Sequence, residues 1–157
     1  MNKTRMLAVA LVASAALLAG CQSVKTTSAG AVGIERTQRM SSMVSEADMR
    51  QQAELSYRET LSTERQKGTL NADPALTNRV RAITSRLIPA SAAFRPDAAQ
   101  WKWEVNVIRS DQINAWCMPG GKIAVYTGLI TKLNLTDDEI AAVVGHEIAH
   151  ALREHAR

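Results

Sequence analysis

Residues 45–157 predict an α+β fold, in which N-terminal helices lead into a small antiparallel sheet with a hairpin and then into a final helix. Three observations carry this reading. Apolar residues recur at steps of three and four between 45 and 88, alternate with polar ones from Trp101, and return to spacing four after Thr136. The first and last periods suit helices with one buried face, and the middle one suits a strand with one buried face.

The twenty residues before Cys21 read as an address, outside this fold. Lys3 and Arg5 precede an apolar run from Met6 to Leu18, followed by Ala19 and Gly20. A basic start, an apolar stretch of about 7–15 residues and small residues at its end describe a secretory signal. A permanent span takes about 20 apolar residues, so this run is short for one. Leu18-Ala19-Gly20-Cys21 resembles the bacterial lipobox, in which the cysteine is joined to diacylglycerol and the bond before it is cut. That reading puts a lipid on Cys21; the alternative is an ordinary signal peptide with a chance cysteine. Gln22 after the cysteine favours, by resemblance to bacterial lipoproteins, the outer membrane with the chain facing the periplasm. Residues 21–44 are rich in Ser, Thr, Gly and Gln, which predicts a lipidated N-terminus and a flexible tether.

The folded elements follow in order. The run 45–67 has no Gly or Pro, and Met49, Ala53, Tyr57 and Leu61 form one apolar stripe on a polar helix. Asp73 and Pro74 open a second helix whose buried face is Leu76, Val80, Ile83 and Leu87, and Pro89 is expected to end it. Trp101, Trp103, Val105 and Val107 predict a strand. Pro119-Gly120-Gly121 between the apolar-rich runs 113–118 and 122–127 predicts a hairpin, and 128–135 adds a short helix.

Thr136 and Glu139 then form a capping box, and Ile140, Val144, Ile148 and Leu152 line one face of the last helix. His146, Glu147 and His150 lie on another face. Imidazoles at i and i+4 project the same way, one turn apart, and can reach a common Zn²⁺ at about 2.0–2.1 Å. Glu147, next to the first histidine, is placed to take a proton from a metal-activated water and deliver it to a leaving amine. The pattern is that of the H-E-x-x-H zinc proteases. The alternative is a pair of surface or core histidines without a metal.

At these residues a family resemblance enters. Asn114-Ala115-Trp116-Cys117-Met118-Pro119-Gly120-Gly121-Lys122-Ile123-Ala124-Val125-Tyr126-Thr127-Gly128-Leu129 resembles the hairpin before the zinc helix of CAAX prenyl protease/HtpX-type metallopeptidases. Asp138-Glu139-Ile140-Ala141-Ala142-Val143-Val144-Gly145-His146-Glu147-Ile148-Ala149-His150 resembles their active-site helix. With the lipobox, the resemblance points to a lipoprotein branch of the family. It implies a zincin-like fold, one Zn²⁺ ligated by His146 and His150, and Glu147 as general base and acid. It also implies endopeptidase activity on misfolded or unassembled envelope proteins; outer-membrane assembly proteins are expected as partners on a separate, non-protease reading, in which a structural lipoprotein recruits them through its two helices. In related zinc peptidases an extended substrate pairs with an edge strand, and Ile123-Ala124-Val125 is the candidate here. For their side chains, packing within the sheet is the simpler role.

A catalytic zinc takes three protein ligands and keeps one position open. The family draws its third from a Glu well beyond the motif, and the expectation here is a peptidase domain truncated after its H-E-x-x-H helix. His155 lies nine residues beyond His146, about 180° around the helix, so it faces away from the pair and reads as a solvent-facing residue near a helix C-terminus; nothing in their spacing recommends Glu104 or Asp111. Cys117 reads as a small buried hydrophobe in preference to a reactive thiol. The 157-residue chain is therefore either the N-terminal part of a longer peptidase, cleaving casein poorly in this form, or a catalytically incompetent lipoprotein that binds envelope partners. Composition excludes other classes. Lys+Arg 19 against Asp+Glu 15, well interspersed, leave no basic patch for nucleic acid, and two cysteines make no disulfide scaffold.

Overall fold

A computed structural model describes residues 21–28, 33, 35–41 and 44–155. The signal-like residues 1–20 lie outside the described residues. The expected tether carries structure instead: β1 (Cys21–Thr27) and β2 (Arg36–Ser41) pair antiparallel, with Cys21 opposite Ser41. Low apolar content removes the drive to build a core, but a ladder satisfies main-chain groups without one, and Val24, Thr26, Thr27 and Thr37 are β-branched residues suited to it. The hairpin is also tied down. Ser28 donates its N–H to the Phe94 carbonyl at 2.6 Å, Lys25 pairs with Glu35, and Met40 is buried.

Helix α1 (Glu46–Gln66) starts at Ser45, whose hydroxyl accepts from the Asp48 N–H at 3.0 Å, and it buries Ala53, Tyr57 and Leu61 of the expected stripe. Helix α2 (Pro74–Phe94) starts at Asp73, which accepts from the Leu76 N–H at 2.9 Å. Pro89 does not end α2 but lies inside it. The missing N–H costs the helix about 3 kcal/mol. The turn beyond it packs Phe94 against the core and buries Ser91, which offsets that cost.

A 3₁₀ turn, Pro96–Gln100, then buries Ala98 and delivers Trp101 to the core. The alternation that starts at Trp101 therefore begins before the strand, β3, which spans Glu104–Ile108. Both indoles are satisfied by that turn: Trp101 Nε1 donates to Asp97 at 3.1 Å and Trp103 Nε1 to the Ala98 carbonyl at 2.8 Å.

The hairpin forms as expected, from β4 (Ala115–Met118) and β5 (Lys122–Tyr126). The sheet is mixed, however, not antiparallel: its order is β3-β5-β4, and β5 runs parallel to β3. The central strand carries the continuous apolar run, with Ile123, Ala124 and Val125 all 0% exposed. A strand flanked and covered on both sides reads as a continuous apolar run.

The two edges are treated differently. The outer side of β3 is closed by the α1–α2 loop and by α2. Asn71 donates its N–H to the Val107 carbonyl at 2.7 Å and accepts from the Val107 N–H at 2.8 Å, while Arg81 Nε donates to the Val105 carbonyl at 2.9 Å. Among the described residues nothing comparable covers β4.

Helix α3 (Thr127–Leu133) needs Gly128, because a Cβ there would lie 2.5 Å from the Asp111 carbonyl oxygen. Asn134 ends α3 in the left-handed region at φ 50°. Helix α4 (Asp137–Leu152) then buries Ile140, Val144, Ile148 and Leu152, the face its spacing predicted. These join Val80 and Ile83 of α2 and Val107, Ile123 and Val125 of the sheet in one core. Each such aliphatic side chain contributes about 1.5–3 kcal/mol when fully buried. Among the described residues no helix is long and apolar enough to cross a membrane.

Candidate metal centre

The centre is built on α4. Its first turn is fixed by the Thr136–Glu139 box: Glu139 accepts the Thr136 N–H at 2.8 Å, and Thr136 accepts the Glu139 N–H at 3.4 Å. The Thr136 N–H, and then its hydroxyl donating at 2.9 Å, hold the Glu139 carboxyl below its ordinary pKa. With the apolar face buried, His146, Glu147 and His150 are left on the other side, His146 exposed and Glu147 and His150 half-buried.

The two imidazoles converge. Nε2 of His146 and Nε2 of His150 are 2.9 Å apart, and the rings stand at 90° with centroids 4.5 Å apart. Two nitrogens on one tetrahedral zinc lie about 3.3 Å apart, given bonds of about 2.0–2.1 Å. The pair needs to open by only a few tenths of an ångström, so these donors fit a zinc ion. Among the described residues no group of three His, Cys, Asp or Glu side chains is arranged to hold a metal. Glu104 is engaged elsewhere, accepting from Asn106 at 3.0 Å and lying 3.7 Å from Lys122, and Asp111 lies in an exposed loop.

Strand β4 packs on α4 beside this pair. Burial pushes the Cys117 thiol well above its ordinary pKa, and the nearby charge of Glu147 pushes it further. A thiol so held stays protonated and inert.

Two site expectations are corrected here. Ile123-Ala124-Val125 cannot be an edge strand for substrate, because β5 is hydrogen-bonded on both sides and its side chains are fully buried. The strand with a free side next to α4 is β4. Tyr126 donates to the Asn114 carbonyl at 3.0 Å, so alternation along the ladder turns the main-chain groups of Ala115 and Cys117 toward the open side.

The second correction concerns His155, which does not face away. Helix α4 stops at Leu152, so a continued-helix angle does not apply. Glu154 takes a left-handed φ of 54°, its N–H bonds the Ala151 carbonyl at 3.2 Å, and the His155 N–H bonds the His150 carbonyl at 3.2 Å. This is a Schellman ending, which folds the residue two past the cap back over the last turn. His155 is exposed, and its Nδ1 contacts Nδ1 of His150. Partial burial first, then the charges of Arg153 and the other two imidazoles, lower the His155 pKa.

Glycine is the usual residue at the left-handed position; a side chain there costs about 1–2 kcal/mol. Glu154 is held there by Arg95, whose Nη1 donates to Glu154 Oε1 at 2.8 Å and to the Leu152 carbonyl at 3.2 Å. Arg95 also pairs with Asp97 at 2.9 Å and with Glu46. Sequence reasoning missed this hub. The one local signal was a helix end with no Gly or Pro at 153–155, which calls for some other anchor.

The model for "Peptidase family M48" matches residues 74–157. The chain belongs to peptidase family M48. The metalloprotease YcaL of Escherichia coli is 30% identical over 164 residues, covering 99% of this chain and 57% of that protein. The mitochondrial metalloendopeptidase OMA1 of Arabidopsis thaliana is 47% identical over 53 residues, 34% of this chain and 11% of that protein. The beta-barrel assembly-enhancing protease of Yersinia pestis is 28% identical over 83 residues, 53% of this chain and 16% of that protein. The chain thus spans little more than half of its YcaL relative and 11–16% of the other two. No solved structure gives a significant match.

Proposed function

We propose that this M48 chain is the N-terminal part of a zinc-dependent endopeptidase of the bacterial envelope, anchored through a lipid on Cys21 and acting on misfolded or unassembled proteins. The observation that carries it is the convergence of His146 Nε2 and His150 Nε2 at 2.9 Å, on a helix that also carries Glu147 beside an open strand edge. When bound, zinc supplies a Lewis acid that polarises the scissile carbonyl and acidifies water. His146 and His150 hold it through Nε2. Glu147 receives the proton lost by the attacking water and passes it to the nitrogen of the leaving amine. Strand β4 orients the chain to be cut, since main-chain pairing reads backbone more than side chains. That suits broad recognition of unfolded segments. The name of the Yersinia relative supports an envelope role, and the lipobox-like Leu18–Cys21 run supports the anchor.

The pairing reading is tested with peptides N-methylated at every second amide. One methylation phase should raise KM about tenfold, because each lost hydrogen bond is worth about 0.5–1.5 kcal/mol and β4 offers two residues for pairing. The opposite phase should leave KM within about twofold. Equal cleavage of both series would exclude β4 as the substrate strand. For the anchor, Cys21→Ser should abolish incorporation of labelled palmitate and move the protein from the membrane to the soluble fraction; label retained on the variant would rule it out.

A further inference from the structure

We propose that His155 is a positioning residue for the second histidine of the zinc pair, set in place by the Schellman ending of α4. This rests on the metal reading above and adds a residue to it. The His150 ring presents two different nitrogens to two different neighbours. Its Nε2 faces His146 Nε2 at 2.9 Å, and its Nδ1 contacts Nδ1 of His155. His155 is therefore on the far side of the ring from the shared metal position and acts as an outer partner, not as a third ligand. A histidine that ligates through Nε2 carries its proton on Nδ1 and needs an acceptor there to fix tautomer and ring orientation. Nδ1 of a neutral His155 is such an acceptor, provided its own proton sits on Nε2.

The backbone explains why these two rings meet. In a Schellman ending the residue two past the cap lies over the residue three before it, and that contact is commonly between two apolar side chains. Here those positions are His155 and His150, joined by the His155 N–H to His150 carbonyl bond at 3.2 Å. The ring centroids are 4.6 Å apart at 62°. The left-handed residue between them is Glu154, and Arg95 holds it from α2's C-terminal end at 2.8 Å. The clamp thus fixes the turn, the turn fixes His155, and His155 fixes His150.

The test uses the full chain and reads zinc affinity by competition with a chromophoric chelator. His155→Ala should weaken zinc binding about 10–100-fold. His155→Asn places an amide oxygen where Nδ1 stood and should recover most of that loss. An unchanged affinity in His155→Ala, or His155→Asn as weak as His155→Ala, overturns the proposal. A second readout needs no metal and no variant. Long-range ¹H–¹⁵N spectra of the metal-free chain should show His150 as the Nδ1–H tautomer, and an Nε2–H tautomer would overturn the assignment. His146→Ala separates the two levels of inference. If zinc uptake is indifferent to that change, the metal reading itself fails, whatever His155 does.

Discussion

In a longer form of this peptidase, Glu147→Gln should lower peptide-bond hydrolysis by about 10²–10⁴-fold while the zinc content of the protein stays unchanged, the span expected when a positioned general base is lost. The amide keeps the size and the helix position of the carboxylate but cannot take a proton from water. His146 and His150, which converge at 2.9 Å, are untouched by the substitution. The measurement pairs hydrolysis of unfolded casein with zinc analysis of the same preparation. Zinc lost together with activity would give Glu147 a structural role and sink its assignment as the base; full activity would sink it outright. The thiol of Cys117 offers an internal control, since the Glu147 charge helps hold it protonated. In Glu147→Gln the thiol should titrate at lower pH than in the unsubstituted chain.

Arg95→Met should destabilise the fold by about 3–5 kcal/mol, the usual cost of removing one partner from a buried ion pair. Arg95 is 9% exposed at its side chain, and Glu154 is 10% exposed, so the substitution takes the guanidinium from Glu154 in a place poorly reached by water. The guanidinium also lies 5.3 Å from the Trp101 ring and binds the Leu152 carbonyl, joining α1, the 3₁₀ turn and the end of α4. Urea unfolding gives the number, and a loss below about 1 kcal/mol would mean the hub is a surface network of little weight. Arg95→Met combined with Glu154→Gln should cost less than the two single losses summed, because both changes remove the same Arg95–Glu154 ion pair.

The same hub sets an acid dependence. Burial alone would raise the Asp97 pKa, but the bonds from Arg95 and Trp101 outweigh it and hold the carboxyl below its ordinary value. A depressed folded pKa stabilises above the unfolded value of about 3.9 and loses that contribution as pH falls through the folded value. The unsubstituted chain should therefore lose stability below about pH 4 more steeply than Arg95→Met does.

Much of this molecule is legible from local pattern. The Thr136–Glu139 box and the spacing of Ile140, Val144, Ile148 and Leu152 leave only one side of α4 for His146, Glu147 and His150. The Pro-Gly-Gly hairpin is equally local, with Gly120 and Gly121 at φ 85° and 82°. The errors lie where a residue's neighbour is distant in sequence. Pro89 looked terminal because the cost of a missing N–H is visible locally, whereas the packing of Phe94 that offsets it is not. The tether looked unstructured because composition measures core-forming capacity, not the pairing of 21–27 with 36–41.

The sequence by itself determined that α4 carries two imidazoles and a carboxylate on one capped face, because helix period and capping act within a few residues. Only the tertiary structure decided which strand lies beside that face. The period-two signal is the same for central and edge strands, and the order β3-β5-β4 depends on what the α1–α2 loop closes and what it leaves open. It likewise decided the fate of His155. A helix end is set by whatever anchors the turn after it, and here the anchor, Arg95, stands 59 positions before Glu154.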